Sequence, residues 1–305
     1  MNTVVALGPV DEHLIRPVLG DDCVLVSDPT DSDLAVATAA IVRAHVTVDR
    51  AMFDRMPNLR VLARTGVGTE RVDLETATER GIPVVITPGS NTRAVAEGAL
   101  ALMLSLAKSL PELDAIVRSG GWSDRDHVTV GDIDGATVGI VGYGRIGQRL
   151  AELLGVLGAT VVAFDPSAPI PDGIRVDTLD DLLHRSDIVS LHVPLLDSTR
   201  HIINADTLSR MTRGAILVNC SRGPLVDLDA ALDALTTGQL GGIGLDVFDD
   251  EPPAPHVLYQ HPRAQLSPHV MGLSTKAAAQ TFIDAAKGIR TVLDGSRPPF
   301  TANEV

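Results

Sequence analysis

Cysteine is almost missing from this chain. Cys23 and Cys220 are the only two and stand far apart, which fits neither a disulfide framework nor a cysteine-built metal cluster, so no metal site is expected. Long apolar runs are scarce as well. The longest, residues 94–107, contains Glu97 and is too short to span a bilayer, and Met1-Asn2-Thr3-Val4 opens without the basic segment and apolar stretch of a secretory leader. A cytoplasmic protein is expected. Positive charge is outnumbered: 25 Lys and Arg against 39 Asp and Glu leave a net charge of −14. Long-range steering therefore disfavours nucleic acid and anionic membranes, and an anionic substrate must be held by local cations or backbone amides. No repeat or low-complexity segment interrupts the sequence. What remains is a 305-residue chain, 45% hydrophobic, enough for about two domains with cores of their own.

Short β-rich runs alternate with helical stretches from the start: Val4-Val5-Ala6-Leu7, Val24-Leu25-Val26, residues 35–42, Leu59-Arg60-Val61-Leu62-Ala63 and Pro83-Val84-Val85-Ile86. Such alternation predicts a parallel sheet with helices on both faces, complete within about ninety residues. Arg64-Thr65-Gly66-Val67-Gly68-Thr69 follows one of these strands, at the edge where open α/β sheets place ligands, and its glycines can expose N–H groups to a carboxylate. A long helix from about Arg93 buries Val95, Ala99, Leu102, Met103 and Leu106 and reads as a buried helix between domains. After a polar loop ending at Gly135, strands are expected at residues 137–141, 160–164, 188–193, 215–219, 242–247 and 264–266, a second doubly wound sheet. An amphipathic helix over 274–293 most simply returns to the first domain. The expected division is residues 1–93 with 274–305, and residues 94–273, the chain crossing twice beside a cleft.

The second sheet opens on Thr137-Val138-Gly139-Ile140-Val141-Gly142-Tyr143-Gly144-Arg145-Ile146-Gly147, a strand that breaks into three spaced glycines and then turns helical. The first glycine allows the turn, the second lets backbone approach a diphosphate, and the third lets helix pack on strand. The next strand ends in Asp165, about 20 residues on, where a carboxylate can accept from ribose hydroxyls. That acid would repel a 2′-phosphate, which favours NAD over NADP.

Three later strands finish in polar residues: Asn219-Cys220-Ser221-Arg222-Gly223, Asp246-Val247-Phe248-Asp249-Asp250-Glu251-Pro252 and Ser267-Pro268-His269-Val270-Met271-Gly272. If the strands are parallel, Arg222, Glu251 and His269 emerge at one edge as a cation, an acid and a titratable base. A 2-oxo acid needs a forked cation for its carboxylate and carbonyl, and a proton donor for the oxygen that becomes a hydroxyl. An unperturbed imidazole titrates near pH 6.5, and a neighbouring carboxylate favours its charged form.

Together, Gly142-Tyr143-Gly144-Arg145-Ile146-Gly147 with Asp165, Leu191-His192-Val193-Pro194-Leu195, residues 214–223 with Val226-Asp227, Gly244-Leu245-Asp246-Val247-Phe248 with Glu251-Pro252, and Ser267-Pro268-His269 with Gly272 resemble the D-isomer-specific 2-hydroxyacid dehydrogenase family over nearly the whole chain. The resemblance implies an α/β protein of two doubly wound parallel-sheet domains, a flavodoxin-like substrate domain and a Rossmann NAD domain, with a cleft between them. It implies NAD at Gly142, Gly144, Arg145, Ile146, Gly147, Asp165, Val193, Pro194, Cys220, Ser221, Arg222, Asp246, His269 and Gly272, with Asp246 on the nicotinamide carboxamide. A small 2-oxo or 2-hydroxy acid would meet Arg64, Val67, Gly68 and Arg222, while Glu251 and His269 form the proton relay. A hinge at residues 91–97 and a homodimer built on the NAD domain are also implied. Arg64 matches an arginine of phosphoglycerate-type members and hints at an anionic substrate tail. Met271 and Leu273 depart from the small residues often found there and are expected to reshape the pocket, and Thr69-Glu70 departs from an aspartate common after the second glycine of that turn. Two other functions fit the same motifs, an NADH-sensing corepressor-like binding protein and a formate- or phosphite-type dehydrogenase.

Overall fold

The structure, a computed structural model, describes residues 1–305. The chain divides into two compact units, Met1–Asn91 with Leu273–Val305, and Thr92–Gly272.

The first unit is a five-stranded parallel sheet: β1 (Asn2–Leu7), β2 (Cys23–Ser27), β3 (Ala39–Val42), β4 (Val61–Arg64) and β5 (Val84–Val85), in the order β2-β1-β3-β4-β5. This is the flavodoxin-like order. Its central strands are apolar at successive positions because helices cover both faces. Val5, Leu7, Ala40, Val42 and Leu62 pack on one side with Phe53 and Met56. Val4, Ala6, Ala39, Ile41, Val61 and Ala63 pack on the other with Ile15, Leu19, Phe282 and Ile289. The last two belong to the helix Thr275–Leu293, capped by Ser274, so this unit draws a layer of its core from the far end of the chain.

One local expectation is corrected. Residues 35–42 are not one strand: Asp31–Val36 is a helix closed by a reciprocal capping box between Thr30 and Asp33, and β3 begins at Ala39. The tail beyond the last helix closes a sheet edge. Thr301 pairs antiparallel with Val85, and Asn303 accepts from Val84 N (2.8 Å) while donating to Ile82 O (3.0 Å), which covers the edge left open by the two-residue β5.

The second unit is a six-stranded parallel sheet, β6 (Thr137–Val141), β7 (Thr160–Phe164), β8 (Ile188–Leu191), β9 (Ala215–Asn219), β10 (Leu240–Leu245) and β11 (Ala264–Leu266), in the order β11-β10-β9-β8-β6-β7. A single parallel bridge, Ala163 to Arg175, extends it beyond β7. Strand order reverses between β6 and β8, so the crevice outside their carboxyl ends is the ligand position of an open α/β sheet. The helix Thr92–Ala107, expected between domains, lies within this unit and buries Val95, Ala99, Leu102, Met103 and Leu106. The stretch after Gly121 is not all loop, since Trp122–His127 forms a 3-10 turn. Before it, the helix Leu110–Ser119 buries none of its residues.

Candidate active site

The glycine turn after β6 is shaped by what each missing Cβ would strike. Gly142 sits at φ +99°, and a side chain there would come within 2.6 Å of the His192 backbone; a Cβ on Gly147 would lie 2.2 Å from Gly142 O. Gly144 has nothing within 4 Å of its Cβ position. The first and third glycines thus let backbone segments touch, whereas the second leaves open space. Gly144 caps the helix Arg145–Val156, whose first-turn N–H groups lack helical acceptors and carry the positive end of the dipole. The residues present therefore fit a dinucleotide diphosphate.

Asp165 does more than wait for a ribose. Its Oδ2 accepts from Tyr143 N and its Oδ1 from Ser167 N and Ala168 N, each at 2.8 Å, so the carboxylate ties the glycine turn to the loop after β7. Burial would push the carboxyl up, but these backbone bonds outweigh it and hold the group below the usual carboxylate range. It is ionised at neutral pH, and its oxygens keep lone pairs for hydroxyl donors. Val193 and Pro194 follow β8, where Val193 O accepts from Ser221 Oγ at 2.6 Å. His192 beside them is neutral. Burial pushes its imidazole down to about 4, its Nε2 lies 3.0 Å from Ser190 Oγ, and its Nδ1 is sealed without a partner. Cys220 is buried too, and its thiol is pushed up to about 12 by burial, with Asp246 adding to the shift.

Because β9, β10 and β11 are parallel neighbours, the three polar strand ends meet at one edge. Glu251 and His269 are in direct contact, His269 Nδ1 lying 2.7 Å from Glu251 Oε2, while Glu251 Oε1 accepts from Phe248 N at 3.2 Å. The carboxylate fixes the ring through Nδ1 and leaves Nε2 to face outward on a half-exposed side chain. Arg222 stands on the adjacent loop. Buried Asn219 shapes that loop by donating to Arg222 O (2.7 Å) and accepting from Ser221 N (3.0 Å), and Gly223 lies against the Phe248–Asp249 backbone so closely that a Cβ would come within 2.0 Å.

Asp246 was expected to face a nicotinamide, and here its buried carboxylate grips the loop that carries His269. Oδ1 accepts from Ser267 Oγ (2.6 Å) and Val270 N (2.9 Å), and Oδ2 accepts from Met271 N (3.1 Å). His269 needs that grip, because its φ of +53° is a left-handed conformation unfavourable for a residue with a side chain. Met271, expected to reshape the pocket, is partly buried and packs beside the helix Thr92–Ala107, and Gly272 follows it.

In the first unit, Arg64 is buried and its guanidinium is engaged with carbonyls, donating to Gly68 O (2.9 Å), Arg43 O (2.6 Å) and Ala44 O (3.4 Å). It braces the loop containing Val67 and Gly68, which is also pinned by Gly66 N to Thr87 Oγ1 at 2.9 Å. Val67 is exposed. Sequence reading did not single out Asn219, His192 or the Gly98–Met271 contact. A short polar side chain before the Ser-Arg-Gly turn was the only signal for Asn219, and the contact carried none.

Residues 100–271 match the family model described as D-isomer specific 2-hydroxyacid dehydrogenase, NAD binding domain. The chain is 38% identical over 306 residues to a D-3-phosphoglycerate dehydrogenase of Mycobacterium tuberculosis, an alignment covering 99% of this chain and 57% of that protein. It is 37% identical over 267 residues to a glyoxylate reductase of Thermofilum pendens, covering 84% of this chain and 78% of the relative. The crystal structure of a Thermus thermophilus protein superposes with a TM-score of 0.90 at 33% identity, covering 99% of this chain and 100% of that one. The chain spans only a little over half the length of the phosphoglycerate dehydrogenase it matches, 57%. With this likeness added to the glycine turn and the strand-end residues, the chain belongs to the D-isomer specific 2-hydroxyacid dehydrogenase family and carries that family's NAD-binding domain.

Proposed function

We propose that this protein is an NAD-dependent oxidoreductase that interconverts a small 2-oxo acid and its D-2-hydroxy acid. The observation that carries the reading is the 2.7 Å contact between His269 Nδ1 and Glu251 Oε2, in the same unit as the dinucleotide turn. Bound NAD supplies the hydride chemistry; the chain supplies position and protons. His269 holds a proton at Nε2 for the substrate oxygen in the reductive direction and takes it back in the oxidative one. Glu251 orients the ring through Nδ1. Arg222 pairs with the substrate carboxylate and carbonyl, a task for which a planar fork of donors is suited. In the first unit Arg64 serves as a brace for the loop carrying Val67 and Gly68.

The test is a spectrophotometric screen of glyoxylate, hydroxypyruvate, 3-phosphohydroxypyruvate and pyruvate against NADH and NADPH. Turnover of at least one acid with NADH preferred is expected. Bound NADH with no acid consumed would refute the reading.

We also propose a homodimer formed through the second unit. Its support is the helix Leu110–Ser119, which buries nothing, together with exposed Leu110, Val117, Trp122 and Val130 around it. Sedimentation of a single monomeric species at micromolar concentration would remove this proposal.

A further inference from the structure

The loop that presents His269 is gripped from two sides, and only one of them is polar. On the polar side stands Asp246, with its three bonds to Ser267, Val270 and Met271. On the other, the Met271 side chain lies in the groove that Gly98 opens in the helix Thr92–Ala107. A Cβ built on Gly98 would fall 2.6 Å from Met271 Cβ, 2.6 Å from its Sδ and 2.7 Å from its Cγ. The contact reaches the Cβ, not only the flexible tip, so a methyl at residue 98 cannot be relieved by a change of rotamer. The backbone on one side of the contact, at Met271 or in the helix, has to move.

The Met271 backbone is two residues from His269, within a turn already strained by the positive φ at the histidine. A strained residue keeps its conformation only where its surroundings over-determine it. Val270 and Met271 are where the surroundings act: both amides are held by Asp246, and the Met271 side chain is packed against Gly98 in the core. Gly98 is otherwise unexplained. It lies in the interior of a sixteen-residue helix at an ordinary helical conformation, where glycine costs about 1 kcal/mol relative to alanine. The close seat of Met271 accounts for it.

We propose that Met271, seated over Gly98, is a positioning residue for His269: it sets the height of the loop and so where Nε2 stands when the proton moves. This rests on the reading of His269 as the proton donor and extends it to a pair of residues outside the proton relay. An error of 1 Å in such a placement lowers turnover by about a hundredfold.

The test uses the full chain and the best acid from the substrate screen. Gly98→Ala is expected to lower kcat by about ten- to a hundredfold, leave the Kd for NADH within about twofold, and enlarge the solvent deuterium isotope effect on kcat. A role confined to core stability would move the melting temperature without altering the isotope effect. Met271→Ala, which empties the groove, is expected to lower kcat in the same sense. His269→Gln serves as the reference. If it leaves turnover intact, the proton-donor reading fails; if it abolishes turnover while Gly98→Ala and Met271→Ala both retain parental kcat and isotope effect, the positioning proposal alone is overturned. Should Gly98→Ala not fold, Met271→Ala decides the matter by the same two readouts.

Discussion

Replacing Asp246 by asparagine gives a measurable handle on the loop. The aspartate is 2% exposed and takes two bonds on Oδ1 and one on Oδ2. Asparagine retains one carbonyl oxygen for Ser267 Oγ and Val270 N, but it turns an NH2 group toward the donor Met271 N. Losing that bond and leaving its N–H unpaired costs about 1–2 kcal/mol, and the two remaining bonds, no longer charge-assisted, each weaken by about 1 kcal/mol. The sum is about 3–4 kcal/mol. At roughly 2–4 °C per kcal/mol for a unit of this size, the melting temperature should fall by about 10 °C. Calorimetry of parent and Asp246→Asn at one scan rate, with kcat measured on the same samples, checks both halves of the reasoning. A variant that melts within about 2 °C of the parent and turns over normally would show that the carboxylate is not what holds the histidine in place.

Other outcomes follow from the same site and from buried titratable groups. Glu251→Gln should lower kcat by about one to two orders of magnitude with little change in NADH affinity, since it replaces the carboxylate at Nδ1 by a neutral amide and leaves the cofactor turn untouched; an unchanged kcat would separate the pair from the chemistry. His192 is depressed to about 4 from an ordinary 6.5, so the unfolded chain binds the proton first. Its contribution to stability is present above pH 6.5 and is lost as pH falls toward 4, by up to about 3 kcal/mol at 1.36 kcal/mol per unit. Urea titrations from pH 7.5 to 4.5 should show that slope in the parent and a flatter one in His192→Gln, and parallel curves would contradict it. With its thiol pushed up to about 12, Cys220 should resist Ellman's reagent at pH 8 until guanidinium unfolds the chain. Rapid modification of both cysteines in the native protein would show the site to be open.

How much of this could be read from the residues depends on how local each signal is. The three glycines and Asp165 are a spacing rule, and the turn they specify is built from their own backbones. The meeting of Glu251 and His269 followed from one topological step: parallel neighbours end at the same edge. What could not be read depends on atoms brought together by tertiary packing. Nothing in Arg64 says that it donates to the carbonyls of Arg43, Ala44 and Gly68. Nothing in Met271 says that it fits Gly98, 173 positions earlier. The positive φ of His269 gives Asp246 its structural task, and no propensity scale assigns that conformation to a histidine. The helix Asp31–Val36 was the opposite case, announced by its own capping residues, with its last two residues counted into an apolar run that read as strand.

The split of the first unit sets an order of events at the ribosome. Residues 1–91 are made before residues 92–272, yet the helix that covers one face of their sheet and the bridge that closes its edge lie beyond Gly272. The uninterrupted stretch Thr92–Gly272 has all its partners as soon as it is made, so it can fold while the earlier segment still lacks a wall. During synthesis the amino-terminal sheet stays exposed the longest, and that is where a chaperone would find something to hold.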